Sequence, residues 1–341
     1  MANFGSDNAS GTHPKIIESL VLASSGNTAA YGDDDLTRSV YKRFESLFEC
    51  QVSIFLVATG TAANCIGLAA LASPVSGIYA HAEAHIVNDE STAPELYTGG
   101  ARQFTVGGDD AKPDLDELAQ KIDLSGARGV HSVQPALIAI SNLTELGARL
   151  SPDEIVAYSD LAKSRGMKLF MDGARFANAV AGGSESPADL TWRAGVDALS
   201  FGATKNGAMA AEALVFFNSD EAMMAEFHRK RGGHLWSKHR YLAAQFDAYL
   251  EDDLWLELAT ASNTNMAKLQ DGISSSNNAS ILAGGDGNEL FIAMGEDVAE
   301  GLLQRGHMFY AWPSLPKAYR LVTSFTTTTA EIDEFIEDLN S

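Results

Sequence analysis

Lys168-Leu169-Phe170-Met171-Asp172-Gly173-Ala174-Arg175 is the stretch that decides the fold. Lys168–Met171 reads as a short strand buried on both faces, and it ends at Asp172 before a glycine. Just upstream, Ser151-Pro152-Asp153-Glu154 is a helix start. It has a serine cap, proline at the first helical position and acids in the first turn, and the helical pattern runs on to Arg165. Working outward, further β-rich apolar runs stand at Val52–Val57, Gly77–Ala80, Arg102–Val106, Ala136–Ile140, Asp197–Phe201 and Ala213–Phe217. Helical patterns at Thr61–Leu71 and Pro113–Ile122 lie between them. Continuous apolar strands separated by helices predict an α/β domain built on a largely parallel sheet.

The expected organisation has three parts. Residues 1–25 read as an N-terminal arm with one short helix at Pro14–Leu22. Residues 26–250 form the large domain, which an amphipathic helix at Trp236–Leu250 leaves. Residues 251–341 read as a small α+β domain: an Asn/Ser/Gly-rich stretch at 271–288, strands at Glu289–Ala293 and Arg320–Ser324, and a final acidic helix.

Composition narrows the class. The chain has 341 residues with 45 acidic and 24 basic side chains, a formal net charge of −21. Hydrophobic residues make up 45%, enough for a sizeable core, which excludes an acidic disordered chain. So acidic a protein is not expected to bind nucleic acid or dock on an anionic membrane, since both need clustered Lys and Arg. Cys50 and Cys65 are the only cysteines and read as reduced thiols of a cytoplasmic protein. No signal peptide or membrane-length apolar run is seen. His81-Ala-Glu83 resembles half of a zinc-deaminase signature, but its PCxxC half is missing, so no metal is expected.

Three motifs carry chemistry. Ala58-Thr59-Gly60-Thr61-Ala62-Ala63-Asn64 follows the first strand, where exposed amides at a helix start could hold a phosphate; an ordinary Thr/Gly cap reads the same way. Asp172 stands at a strand's C-terminal end, where open α/β sheets place ligands; a helix cap or an Asp–Arg salt bridge is the plainer alternative. Lys205, in Phe201-Gly202-Ala203-Thr204-Lys205-Asn206-Gly207, follows a strand among small residues with no acid until Glu212. Such surroundings disfavour an ammonium and suit an imine-forming amine, though a surface turn could also place a lysine there. Together, a phosphate loop, a strand-end Asp and then a strand-end Lys are the parts that hold pyridoxal 5'-phosphate.

At these motifs the chain resembles the L-threonine aldolase family, of low-specificity or phenylserine-aldolase type. The likeness includes Phe4-Gly5-Ser6-Asp7-Asn8, Tyr31-Gly32-Asp33-Asp34, Ala84-His85, Thr144-Glu145-Leu146-Gly147, DGARFANA at 172–179, FGATKNG at 201–207 and Arg320-Leu321-Val322-Thr323. The resemblance implies a fold type I enzyme, with a mostly parallel seven-stranded sheet and a small C-terminal α+β domain. It implies Lys205 as Schiff-base lysine, Asp172 on the pyridine nitrogen, and Gly60 and Thr61 on the phosphate. His85 would stack on the cofactor ring near the substrate hydroxyl and act as base, directly or through a water. Ser6, Arg175 and Arg320 would hold the substrate carboxylate, with Arg175 also near the cofactor. Tyr31 would come from a neighbouring subunit, and Lys238 would reach the phosphate across the interface of a homodimer or homotetramer. In one respect the chain departs from many family members: no second histidine stands in Ile140–Glu145, which leaves the general base open. Another lyase or aminotransferase reaction on the same scaffold is the competing expectation.

Overall fold

The computed structural model describes all 341 residues. Seven strands form the large sheet: β1 (Ser53–Val57), β2 (Ser76–His81), β3 (Arg102–Val106), β4 (Gln134–Ser141), β5 (Lys168–Gly173), β6 (Ala198–Gly202) and β7 (Glu212–Phe216). Their order is β1-β7-β6-β5-β4-β2-β3. All pairs are parallel except those of β7, which runs antiparallel to both neighbours. All seven apolar runs of the sequence are strands, within one or two residues.

These runs lack polar alternation because both sheet faces are covered. Leu169 and Met171 point into one apolar cluster, Phe170 into another, and Leu199 and Ala198 divide in the same way. The helix Gly60–Leu71 lies so close to the sheet that a Cβ on Gly67 would stand 2.5 Å from the Phe170 ring.

A second sheet, β10-β11-β9-β8, is wholly antiparallel, from β8 (Ala279–Gly284), β9 (Glu289–Met294), β10 (Tyr310–Trp312) and β11 (Ala318–Val322). The helices Leu254–Ser274 and Thr329–Leu339 pack on it around Phe335 and Leu290. The first residues of the chain belong to this packing. Phe4 is fully buried in the same cluster, and its N–H and C=O bond to Met308 and Val322. That anchorage carries the next residues, Ser6–Asn8, to the boundary with the large sheet.

Three elements differ from expectation. Trp236–His239 is not helical, and the helix begins at Arg240. His239 is buried between Thr37 and Arg229, and the Ser237 carbonyl accepts the Tyr31 N–H, so these contacts hold the segment out of a helix. The Asn/Ser/Gly-rich stretch contains strand β8, an edge strand whose half-exposed residues leave little apolar pattern. The last strand is Ala318–Val322 rather than Arg320–Ser324. No helix is long and apolar enough to cross a membrane.

Candidate active site

The register brings three strand ends level. Ser141 pairs with Asp172, and Asp172 with Ser200. A cavity of about 290 Å³ opens at this end of the sheet, lined among others by Gly60, Thr61, His85, Asp172, Arg175 and Lys205. Six residues singled out in the sequence therefore meet in one place, although 145 positions separate the first from the last.

Each is placed by local structure. Thr59 caps the helix Gly60–Leu71 through its side chain, leaving the Gly60 and Thr61 end facing the cavity; a Cβ on Gly60 would meet nothing within 4 Å. Asp172 is nearly buried, its Oδ2 accepting Asn64 Nδ2 at 2.7 Å and its Oδ1 accepting the Ala174 N–H at 3.0 Å. The same Asn64 amide donates to Glu90 Oε1 at 2.8 Å. Lys205 sits in the single turn Thr204–Asn206 that follows β6. His85 opens the short helix His85–Asn88, while His81 ends β2. His85 Nδ1 is 2.9 Å from Glu90 Oε1, whose side chain has no exposure. Burial lowers the imidazole's affinity for a proton, but the Glu90 bond and the charges of Asp172 and Glu90 outweigh that, and its pKa is raised.

Arg175 also lines the cavity. Its Nε and Nη2 bond both oxygens of Asp7, at 2.8 and 3.2 Å, and its Nη1 lies 2.8 Å from Glu289. Asp7 and Glu289 are both buried. Burial raises the Asp7 pKa, yet Arg175 and Lys205 more than reverse it; for Glu289, burial prevails and the pKa is raised. Arg320 lies behind this group. It donates to the Gly5 carbonyl at 3.0 Å, stands 3.7 Å from Glu289 and packs over the Trp312 ring, with its Nε unpartnered.

Arg320, Ser6, Tyr31 and Lys238 do not line the cavity within one chain. The Ser6 hydroxyl accepts the Asn8 N–H, and Asn8 does line it. Tyr31 is about half exposed and lies under Lys230. Lys238 is exposed. The sequence reading missed Asn64, Glu90, Glu145, Glu212, Asp7 and Glu289 as site residues. Glu145 and Glu212 had a visible signal: one stands in the family-like Thr144–Gly147 segment, the other is the first acid after Lys205. Both carboxyls reach the cavity, and burial raises each from 4.5 to about 7.

Residues 3–295 match the family model described as beta-eliminating lyase. The chain belongs to that family. Among its relatives, this lyase is 35% identical to the low specificity L-threonine aldolase of Pseudomonas aeruginosa, over 98% of this chain and 96% of that protein. It is 34% identical to the protein of the same name from a Pseudomonas species, over 99% and 97%. The structure of a Leishmania major threonine aldolase superposes with a TM-score of 0.93 at 28% identity, covering 99% of this chain and 98% of that one.

The lyase is pyridoxal-phosphate dependent, and its cavity suits the cofactor. The space that a Gly60 side chain would fill lies open at a helix N-terminus, where amides favour a phosphate. The Asn64 clamp fixes the Asp172 carboxylate, which can accept from a ring nitrogen, and Lys205 lines the same cavity. His85, Glu90 and Asp172 also bring three ligand-type atoms within 4.8 Å of one another. The Asn64 amide, however, places an N–H donor between the two carboxylates, and a cation would be repelled by it.

Proposed function

We propose that this lyase is a low-specificity L-threonine aldolase. It would cleave L-β-hydroxy-α-amino acids of the threonine, allo-threonine and phenylserine type to glycine and an aldehyde. The carrying observation is the meeting of Lys205, Asp172 and the Gly60–Thr61 helix start in one cavity, with Arg175 on its wall. The names of the two Pseudomonas relatives support the substrate class.

Bound pyridoxal phosphate supplies an electron-withdrawing ring. The chain's own residues do the rest. Gly60 and Thr61 amides would hold the phosphate, and Lys205 would supply the amine that tethers the cofactor. Asp172, fixed by Asn64, keeps the ring nitrogen protonated through a charge-assisted hydrogen bond. His85, which lines the cavity, would lie against the ring. Arg175 lines the cavity and would fix the substrate carboxylate, with Arg320 and Ser6 assisting from outside its lining, so that the Cα–Cβ bond rather than Cα–H is presented for cleavage.

The active unit in this reading is a cytoplasmic homodimer or homotetramer. Tyr31 and Lys238 stand outside their own chain's cavity, as residues serving a neighbour's site would. Exposed Phe227, Met223 and Met224 on one helix near Tyr31 supply apolar surface for association. We also propose that the chain divides into an arm at 1–25, a large domain at 26–250 and a small domain at 251–341.

The family model's description favours one second reading, β-elimination to a keto acid. An assay of aldehyde against keto acid separates the two, using threonine, allo-threonine and phenylserine in L and D forms. Keto acid without glycine from every substrate would overturn the aldolase reading.

A further inference from the structure

Retro-aldol cleavage requires an acceptor for the β-hydroxyl proton. We propose that Glu145 is that acceptor, a catalytic residue that takes the proton on Oε2. The inference rests on the aldolase reading.

Glu145 lies four residues beyond Ser141, the end of β4, and its carboxyl lines the cavity with Asp172 and Lys205. One oxygen is fully engaged: Oε1 accepts the His85 backbone N–H at 3.0 Å and the Ser141 hydroxyl at 2.7 Å. These two bonds aim the group, and Oε2 is left without a partner in the chain. The ionisable groups that face it are Asp172, from β5, and His85, from the segment after β2. Burial, reinforced by Asp172, brings the carboxyl to about 7, so at neutral pH it can both receive and release a proton.

His85 is the alternative acceptor, and its surroundings oppose the role. Its Nδ1 is tied to the wholly buried Glu90, a pairing that favours the protonated ring. The raised pKa lowers the share of rings with a free Nε2 lone pair, the only form that can accept the proton. In this arrangement His85 stands beside the substrate while Glu145 moves the proton. The step balances within the molecule. The β-hydroxyl O–H bond breaks and its proton goes to Oε2. The released pair becomes the second C–O bond of the aldehyde. The Cα–Cβ pair stays with Cα, which takes a proton from solvent, and Glu145 returns its own to solvent.

The test is Glu145→Gln in the full-length enzyme. Aldehyde release from L-threonine should fall on the order of 100-fold in kcat. Exchange of the glycine α-proton with deuterated solvent needs no β-hydroxyl and should stay within about 3-fold of wild type. NMR titration of carboxyl-labelled glutamates should lose one of two groups that titrate near 7. Unchanged cleavage, equal loss of cleavage and exchange, or both titrating groups retained would overturn the assignment. If the variant fails to hold the cofactor, Ser141→Ala decides. Removing a bond to the carboxylate should move the acid limb of kcat/KM to higher pH, and a limb that stays in place rejects Glu145. If wild type releases no aldehyde from any substrate, the aldolase reading fails instead, while the titration still reports on the carboxyl.

Discussion

Arg175 grips both oxygens of Asp7, a residue 168 positions earlier, through Nε and Nη2. Asp7 also accepts from Asn288, so one buried carboxylate joins the N-terminal arm, the large sheet and the small sheet beside the cavity. Nε and Nη2 of Arg175 are committed to this bond, and Nη1 lies against Glu289.

Asp7→Asn should therefore impair the site through Arg175. The variant keeps the shape but loses the charge and one of the two acceptors. KM for threonine is expected to rise about tenfold, one decade per ~1.4 kcal/mol, with a smaller change in kcat. Thermal unfolding should also come earlier, because a buried cation loses a partner. Steady-state kinetics and a melting curve check both. An unchanged KM would reduce Asp7 to a tether of the arm.

Lys205→Ala should abolish both cleavage and the visible absorbance of the bound cofactor. The lysine stands in the turn after β6 and lines the cavity that Gly60 also lines. No second lysine lines the cavity to replace it. An absorbance spectrum of the purified variant is the check, and an intact yellow band would overturn the assignment.

Arg320→Ala should raise KM for threonine by roughly 10- to 100-fold, the loss of a charged hydrogen bond to the substrate carboxylate at ~1.5–3 kcal/mol. Its Nε has no partner in the chain, and its bond to the Gly5 carbonyl places it next to Ser6. Kinetics with a melting curve separate this from simple destabilisation. A fall in melting temperature with KM unchanged would mark Arg320 as a structural clamp on the arm.

The sequence made one part of this arrangement legible and hid the other, for a physical reason. Gly60, Thr61, Asp172 and Lys205 sit where a strand or helix begins or ends, and such positions need particular local residues: small ones, caps and a strand-end acid. Their neighbours in sequence therefore announced them, and the seven apolar runs announced the sheet. Asn64 and Asp7 act through partners far along the chain, as in Asn64–Asp172 at 108 positions. No local pattern encodes such a pairing. Glu289 reads simply as the start of a strand, and only the fold sets it between two arginines. The irregular Trp236–His239 segment escaped for the same cause, since its helical pattern is overruled by the burial of His239.

Glu212 should make stability depend on pH in a predictable direction. It opens β7 opposite Gly202, is nearly buried and lines the cavity. Burial raises its carboxyl from 4.5 to about 7, against the pull of Thr204 and Lys205. Between those two values the folded chain holds a proton that the unfolded chain has released. Its contribution is therefore fully present below about 4.5 and is lost as pH rises to about 7. Glu212→Gln keeps a neutral side chain throughout and escapes that loss. Relative to wild type, the variant's melting temperature should improve by roughly 2–4 °C between pH 5 and pH 8. Melting curves of both proteins across that range, with the cofactor kept at one fixed concentration, isolate the effect because other titrating groups cancel in the difference. A constant difference would place the Glu212 pKa at its ordinary value, and a difference moving against the variant would show the carboxylate form to be the one the fold prefers.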